Sequence, residues 1–451
     1  MIGPGEILLV ACYELGHQPL SVAWPAAFLA RAGYRPAVMD LSVEPFDADR
    51  VRCARLVAVA VPMHTALRLG VAAASRIRLV NPAAHICFYG HYATLNAEHL
   101  TSHGHADSVL AGELEEALVS LARGLDATAR PPRVSLAKLD FPVPARAALP
   151  ALKKYAHLDR EGASHLVGYV EASRGCKHGC RHCPVPAVYG RRFFVVPRDV
   201  VLADVRQQVD AGAAHVTFGD PDFLNGPRHA LAVARALHAE FPMLTFDFTA
   251  KIEHLLDQRK HLAELASLGA LFVVSAAESL DDGVLAILDK GHTRADIDTA
   301  LALTRAAGLS LRPTWLAFTP WTTLDSYRAW LDFIVDEALI DATDPVQYGL
   351  RLLVPPGSWL LEQPAVRPHL AGLAPGGFHH EWTHPDPRMD ALQSAVAAAV
   401  AAAADRRVDP ALTLDRVRAL AATAAVVAAP APVGLAPDRR RPPRLSEPWF
   451  C

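Results

Sequence analysis

The sequence predicts an α/β protein built from two βα arrays: an N-terminal doubly wound parallel sheet of Rossmann-like type, then a partial (β/α)6 barrel followed by a C-terminal helical segment. Short apolar runs of strand length alternate with stretches of helix length from residue 6 to residue 352, the pattern of repeated parallel βα units. The alternation is interrupted once, over residues 126–165, where Pro131, Pro132, Pro142, Pro144 and Pro150 stand close together and break any long element. A boundary between two units falls there.

In the first unit, residues 1–125, the strands are Glu6 to Val10, Arg35 to Leu41, Leu56 to Val61, His85 to Tyr89 and Ser108 to Leu110. Helices fit Leu20 to Ala32, Ala66 to Val80 and Glu113 to Gly124, with Gly33 placed to stop the first. Ligands of such sheets sit at the carboxyl ends of the strands. Those ends carry Cys12 to His17, Pro62 to Thr65, Gly90 to Thr94 and Gly112-Glu113.

In the second unit, residues 166–355, a strand Leu166 to Ala172 is followed by His215 to Phe218, Thr245 to Ala250, Leu271 to Ala276, Leu311 to Leu316 and Gln347 to Leu352. The helices are Pro197 to Ala211, Arg228 to Ala239, His261 to Leu268, Arg294 to Ala307 and Thr323 to Glu337. Residues 356–436 read as helical, through Ala391 to Arg407 and Ala411 to Ala429, which are strong helix formers. Residues 437–451, proline-rich and basic, read as an irregular tail.

With 451 residues the chain can bury sizeable cores, and 51% hydrophobic with 20% charged residues is an ordinary globular composition. A formal net charge of −3, with no long Lys/Arg block before the tail, excludes the electrostatic footprint of a nucleic-acid binder. No run approaches the roughly 18 apolar residues of a membrane span, and the N-terminus lacks the basic region of a signal peptide. Seven cysteines, an odd number with three clustered, fit a reducing compartment and a metal role. The expected location is the cytoplasm.

The chemistry is concentrated in Cys176, Cys180 and Cys183, spaced Cys-x3-Cys-x2-Cys after the first barrel strand. Three thiolates on one short loop converge on a metal centre and leave it one ligand short of four. Iron–sulfur clusters are usually held by four thiolates, so three imply a cluster with one iron open. The alternative is a structural zinc knot with His178 or His182 as the fourth ligand.

This motif resembles the radical S-adenosylmethionine (SAM) superfamily, with His182 standing where the family usually has an aromatic or apolar residue. The resemblance implies a [4Fe–4S] cluster on the three cysteines, SAM chelated by the open iron, and reductive cleavage of SAM to a 5′-deoxyadenosyl radical. It also implies a small-molecule substrate and a one-electron donor such as flavodoxin or ferredoxin. By position, Gly219, Asp220 and Pro221 match the segment that holds the SAM amino group. Ser275 and Glu278 match the segment whose glutamate hydrogen-bonds ribose, and Arg312 matches the strand where substrate or SAM contacts fall.

Residues 5–125 resemble the cobalamin-binding-type domain that precedes the radical core in many such enzymes, with Gly90 to Thr94 and Ala111 to Glu115 as landmarks. The Asp-x-His-x-x-Gly cobalt-ligand motif is absent, and Glu14-Leu15-Gly16-His17 has the wrong order. Whether a corrinoid binds stays open. With one, the expected reaction is methyl transfer to an unactivated carbon or phosphorus. Without one, it is radical rearrangement of a metabolite or peptide. A third reading, from another class, is a non-catalytic metal-binding scaffold that docks through its tail thiol.

The ending Ser446-Glu-Pro-Trp-Phe-Cys451, with Phe318 to Thr323 and Arg351 to Pro355, resembles a radical SAM family named for a Cys-Cys-Ala-Glu-Pro or Cys-selenocysteine-Ala-Glu-Pro tail. That resemblance implies a selenoprotein in which Cys451 is followed by selenocysteine, which the gene beyond codon 451 would show as an in-frame UGA.

Overall fold

Alternate residues of the first strand face two different cores, which is what makes the N-terminal unit a three-layer structure. In the computed structural model, which describes residues 3–125, 133–435 and 441–447, β1 (Ile7–Ala11) is buried throughout. Ile7, Leu9 and Ala11 join one apolar cluster, whereas Leu8 and Val10 join the other. Each such aliphatic side chain contributes roughly 1.5–3 kcal/mol by leaving water. Around β1 lie β2 (Ala37–Asp40), β3 (Leu56–Ala60), β4 (His85–Tyr89), β5 (Ser108–Gly112) and β6 (Val134–Ser135), in the order β2-β1-β3-β4-β5-β6. All neighbours are parallel, and the order reverses beside β1, where open α/β sheets hold their ligands.

A second sheet curls into a half-barrel. The hairpin β7 (His157–Arg160) and β8 (Ala163–Val170) opens it, and β9 (Ser173–Gly175) with β10 (Phe193–Val195) forms a small antiparallel pair beside the cysteine loop. Parallel strands β11 (His215–Phe218), β12 (Thr245–Thr249), β13 (Ala270–Glu278) and β14 (Ser310–Trp315) complete the wall. Beyond it, β15 (Leu370–Leu373) and β16 (His380–Trp382) make a two-stranded ribbon, and helices Pro387–Asp405 and Pro410–Ala425 pack on each other. Helix starts carry their signals: Thr293 and Thr323 form capping boxes with Asp296 and Ser326, satisfying donors that the first turn leaves free.

The expected strand Gln347 to Leu352 is not formed. Pro345 starts a 3₁₀ turn through Gly349, the Gln347 side-chain oxygen accepts from Trp315 N at 2.9 Å, and one bridge joins Arg351 to Phe318. A side chain thus takes the place of the ladder, and the parallel wall ends at five strands. Residues 356–384, expected to be helical, form 3₁₀ turns and the β15–β16 ribbon instead, because Pro364, Pro368 and Pro375 interrupt any long helix.

The tail also departs from an irregular course. β17 (Arg444–Leu445) pairs antiparallel with β7, giving the sheet order β14-β13-β12-β11-β8-β7-β17. Leu445 packs with Leu158, Val167 and Phe272, while Tyr13 donates to Glu447 at 2.9 Å. The expectation for Cys451 lies outside the described residues.

Gly16, in the loop after β1, has φ +71°, and a Cβ there would stand 2.7 Å from Glu447 Cβ. Gly16→Ala is expected to lower unfolding free energy by about 1–2 kcal/mol through the left-handed backbone alone, and by more because of the contact. In a Glu447→Gly background the contact part should vanish, so urea midpoints of the four proteins should give a non-additive cycle.

Candidate metal centre and cofactor site

Cys176 follows β9 directly, and Cys183 stands at the start of the helix Pro184–Tyr189. The turn between them is held by backbone contacts from three sides. Asn225 takes Lys177 N at 3.3 Å on its side chain and Lys177 Nζ at 2.6 Å on its carbonyl. Arg181 N donates to Leu288 O at 3.0 Å, and Ser358 Oγ donates to Arg181 O at 3.1 Å. Cys183 N reaches Cys180 O at 3.2 Å. Burial, then the nearby Cys180 and Cys176 sulfurs, push the Cys183 thiol up to about 12. The Cys176 thiol is raised as well, chiefly by burial.

Each histidine of the loop has a partner outside it through Nε2. His182 donates to Glu278 Oε1 at 3.0 Å. His178 meets His254, Nε2 to Nε2, at 3.1 Å, and His254 Nδ1 donates to buried Asp222 at 2.7 Å. Asp222 also accepts Leu224 N and Lys251 N. The Lys251 ammonium itself pairs with Glu253 at 3.0 Å.

The residues expected near SAM divide into three groups. Gly219, Asp220 and Pro221 follow β11 next to the loop. Asp220, 2% exposed, accepts Ala172 N at 2.9 Å and the Ser173 hydroxyl, so it braces the strand end that leads into the cysteines. Burial lifts its carboxyl to about 7. Glu278 ends β13 in left-handed backbone, φ +65°, and receives Lys290 Nζ at 3.2 Å as well as His182, both on Oε1. Burial would raise its carboxyl, but Lys290 and His182 outweigh that and hold it at about 2.

Ser275 and Arg312 are placed elsewhere. Ser275 shares its strand face with Val273 and Ala277, which belong to the core under the helices, and its buried hydroxyl has no partner. Arg312 pairs across from Val274, whereas Glu278 pairs with Trp315. Arg312 therefore lies three residues lower, roughly 10 Å along the barrel wall, where it donates to Asp344 at 3.2 Å. Alternation along β13 makes the Ser275 orientation readable in the sequence; the Asp344 partner of Arg312 comes from a distant loop and leaves no such signal.

A crevice with room of about 180 Å³ opens where the carboxyl ends of the two sheets face each other. Pro62, Met63, Gly90, His91, Gly112 and Glu115 line it from the N-terminal sheet; Tyr169, Glu171, Arg174, Gly175, Tyr189, Gly219 and Pro221 line it from the half-barrel. Arg174 ties the two walls together. Its guanidinium lies 2.7 Å from Glu115, 3.1 Å from Glu171 and 3.7 Å from Glu113. Burial lifts Glu113 to about 7. The β1 loop offers no free imidazole to this crevice. Glu14 caps the helix Leu20–Arg31 by accepting Leu20 N at 3.0 Å, and His17 stacks on Tyr169 with ring centroids 4.5 Å apart. His91 does line the crevice, and burial drives it down to about 4.

Residues 170–317 match the radical SAM superfamily, so the chain carries a radical SAM domain, the kind of domain that uses a [4Fe–4S] cluster and SAM. The chain is 27% identical over 331 residues to the hopanoid C-3 methylase of Methylococcus capsulatus, covering 67% of this chain and 62% of that protein. It is 26% identical over 203 residues to the bacteriochlorophyllide d C-12(1)-methyltransferase of Chlorobaculum tepidum, covering 42% and 41%. The chain thus spans less than two thirds of the length of these curated relatives. Among solved structures, the cobalamin-dependent SAM radical enzyme OxsB with aqua-cobalamin bound superposes with a TM-score of 0.65 at 15% identity, over 86% of this chain and 66% of that one. The radical SAM methyltransferase TsrM from Kitasatospora setae, with cobalamin and a [4Fe–4S] cluster bound, gives 0.57 at 16% identity, over 74% and 70%. At these identities the likeness is one of fold. The α/β architecture and the radical SAM assignment made from the cysteine spacing both hold.

Replacing Lys290, 3% exposed, removes the main counter-charge of a buried carboxylate. Lys290→Met is expected to cost about 3 kcal/mol of stability, at the lower end for breaking a buried pair. Because Glu278 is held at about 2 against an ordinary 4.5, its contribution is complete above pH 4.5 and is lost as pH falls toward 2. Urea unfolding followed between pH 7 and pH 3 should show that acid sensitivity in the parent and a weaker one in the variant.

Proposed function

We propose that this chain is a cobalamin-dependent radical SAM methyltransferase acting on an unactivated carbon or phosphorus of a small molecule, in the cytoplasm. The observation that carries the reading is the placement of the three-cysteine loop: its leading residues, Arg174 and Gly175, also line the crevice between the two sheets. Cys176, Cys180 and Cys183 would hold three irons, with SAM on the fourth. A bound cluster supplies the electron that cleaves SAM, and a bound corrinoid supplies methyl transfer. The relatives and neighbours include a methylase, methyltransferases and cobalamin-bound enzymes, which supports the same choice.

The residues fit these groups in specific ways. Trp24, Tyr89, Tyr169 and Tyr189 give the crevice broad apolar walls suited to a flat macrocycle, and the donor set of the β1 loop means that a corrinoid would bind without a ligand from that loop. Asp220 sets the direction of the backbone entering the cysteines, and Gly219 and Pro221 stand beside it to receive the SAM amino group. Glu278 is kept ionised by Lys290 and His182, which both use Oε1, so Oε2 is the oxygen proposed to accept from ribose. Ser275 and Arg312 have no role in this proposal.

Purified without oxygen, the protein should be brown, hold about four irons per chain, show corrinoid absorbance and cleave SAM when reduced. Corrinoid-free protein that still cleaves SAM would select radical rearrangement, and zinc with no iron would select the scaffold. Replacing the three cysteines by Ala should abolish both iron and SAM cleavage. Glu278→Ala should keep the cluster's absorbance while weakening SAM binding by roughly 1.5–3 kcal/mol, the value of a charge-assisted hydrogen bond. An unaltered SAM dissociation constant would remove Glu278 from the site.

A further inference from the structure

We propose that the exposed rim of the cysteine loop, built from Lys177, Arg181, Arg191 and Arg192, is the docking surface for a small acidic one-electron carrier of the flavodoxin kind. This rests on reading the loop as a redox cluster site. Lys177 stands next to Cys176 and Arg181 next to Cys180, so two cations belong to the loop itself. Arg191 and Arg192 come from the turn between the helix Pro184–Tyr189 and β10. That turn is built to bring them there. Gly190 and Arg191 are both left-handed, φ +56° and +62°, and a non-glycine residue pays for that conformation only where surrounding contacts impose it.

The strained turn lays Arg191 across the loop, with Arg191 Nε donating to Lys177 O at 3.2 Å. A Cβ on Gly179 would stand 3.6 Å from the Arg191 guanidinium. The Arg192 carbonyl lies against Gly175, the residue before Cys176. Lys177, Arg191 and Arg192 are exposed and Arg181 is half-buried, and none of the four makes an ion pair among the described residues. Arg181 is held on the rim by the Ile287 carbonyl at 2.8 Å, and Lys177 by the Asn225 carbonyl. Two acids face the same rim, Asp289 beside Gly179 and Glu253 beside His178, so the rim keeps a surplus of positive charge.

The cysteines beneath are largely buried, so an electron must arrive across this rim or across the crevice, and the crevice is lined by Glu14, Glu115 and Glu171 around Arg174. An acidic protein is repelled by the second and drawn by the first. In the step inferred, one electron leaves the reduced flavin of the carrier and enters the cluster, with no atom crossing the interface. Complementary charge acts mainly on encounter and weakens with salt.

The test uses the anaerobically purified, cluster-loaded protein with a reduced flavodoxin and its reductase, and titanium(III) citrate as a reductant that needs no docking. In the double variant Arg191→Glu/Arg192→Glu the apparent KM for flavodoxin in SAM cleavage should rise at least tenfold. The parent's KM should climb with added salt while the variant's does not, and the titanium-driven rate should match the parent's. An unchanged KM with unchanged salt dependence would overturn the proposal. If the titanium-driven rate also falls, the substitution has disturbed the loop, and Arg191→Gln/Arg192→Gln decides: a raised flavodoxin KM with the parent's titanium rate supports the surface, and an unmoved KM overturns it. A parent that cleaves no SAM with titanium citrate overturns the cluster reading, and this proposal with it.

Discussion

Three thiols held within one another's electrostatic field, and largely out of water, set the terms for the rest of this structure. Burial and mutual repulsion raise the Cys183 thiol to about 12 and the Cys176 thiol above its ordinary value, so a metal bound by these two would have to displace their protons. The loop therefore cannot rely on its own charge for shape. It is shaped by neutral backbone contacts to Asn225, Leu288 and Ser358. The acids around it have partners of their own: Asp220 grips the strand entering the loop, Asp222 accepts from His254 and two amides, and Glu278 is paired with Lys290.

The same logic governs the junction of the two sheets. Arg174 leaves β9 toward three glutamates, two of which follow β5 on the other wall. Removing this guanidinium from water is costly unless it is paired, and bringing Glu113, Glu115 and Glu171 together is costly unless a cation separates them. Each side of the interface thus supplies what the other needs. Because the cation belongs to the strand that delivers Cys176, the position of the N-terminal sheet and that of the metal loop are set by one contact.

Much of this was legible in the sequence wherever the information is local. Short apolar runs located β4 and β11 to the residue and the other parallel strands within three, except β6, which lies in the proline-rich stretch and was not expected, since strands buried on both faces are apolar at consecutive positions. The cysteine spacing pointed to the radical SAM domain because the three cysteines lie within eight residues. What escaped is held by partners far apart in sequence. His182 looked like a departure from an aromatic position, and its meaning lies in Glu278, 96 residues later. β7 and β17 carry little apolar alternation of their own, and the 3₁₀ turn at Pro345 replaces a strand because a glutamine side chain can imitate a backbone carbonyl. Ser275 and Arg312 were chosen by nearness to a motif; the pleat of β13 turns Ser275 toward the core under the helices, and the register with β14 sets Arg312 three residues below the level of Glu278.

The pairing of β17 with β7 also dictates the order in which the molecule can be made. Ser446 and His157, joined by hydrogen bonds, are 289 residues apart, and Tyr13 and Glu447 are separated by 434. Loop closure over such distances is slow, and domains fold as their chain emerges during synthesis. The N-terminal sheet and the parallel wall can therefore form on the ribosome while the outer edge of β7 is still bare. For that interval β7 is an unpaired edge, the part of a sheet most prone to pairing with another chain. Arg444 and Leu445, which cover it, are translated long after β7 itself, so a nascent chain stalled short of Arg444 would display a folded half-barrel with an exposed, aggregation-prone side.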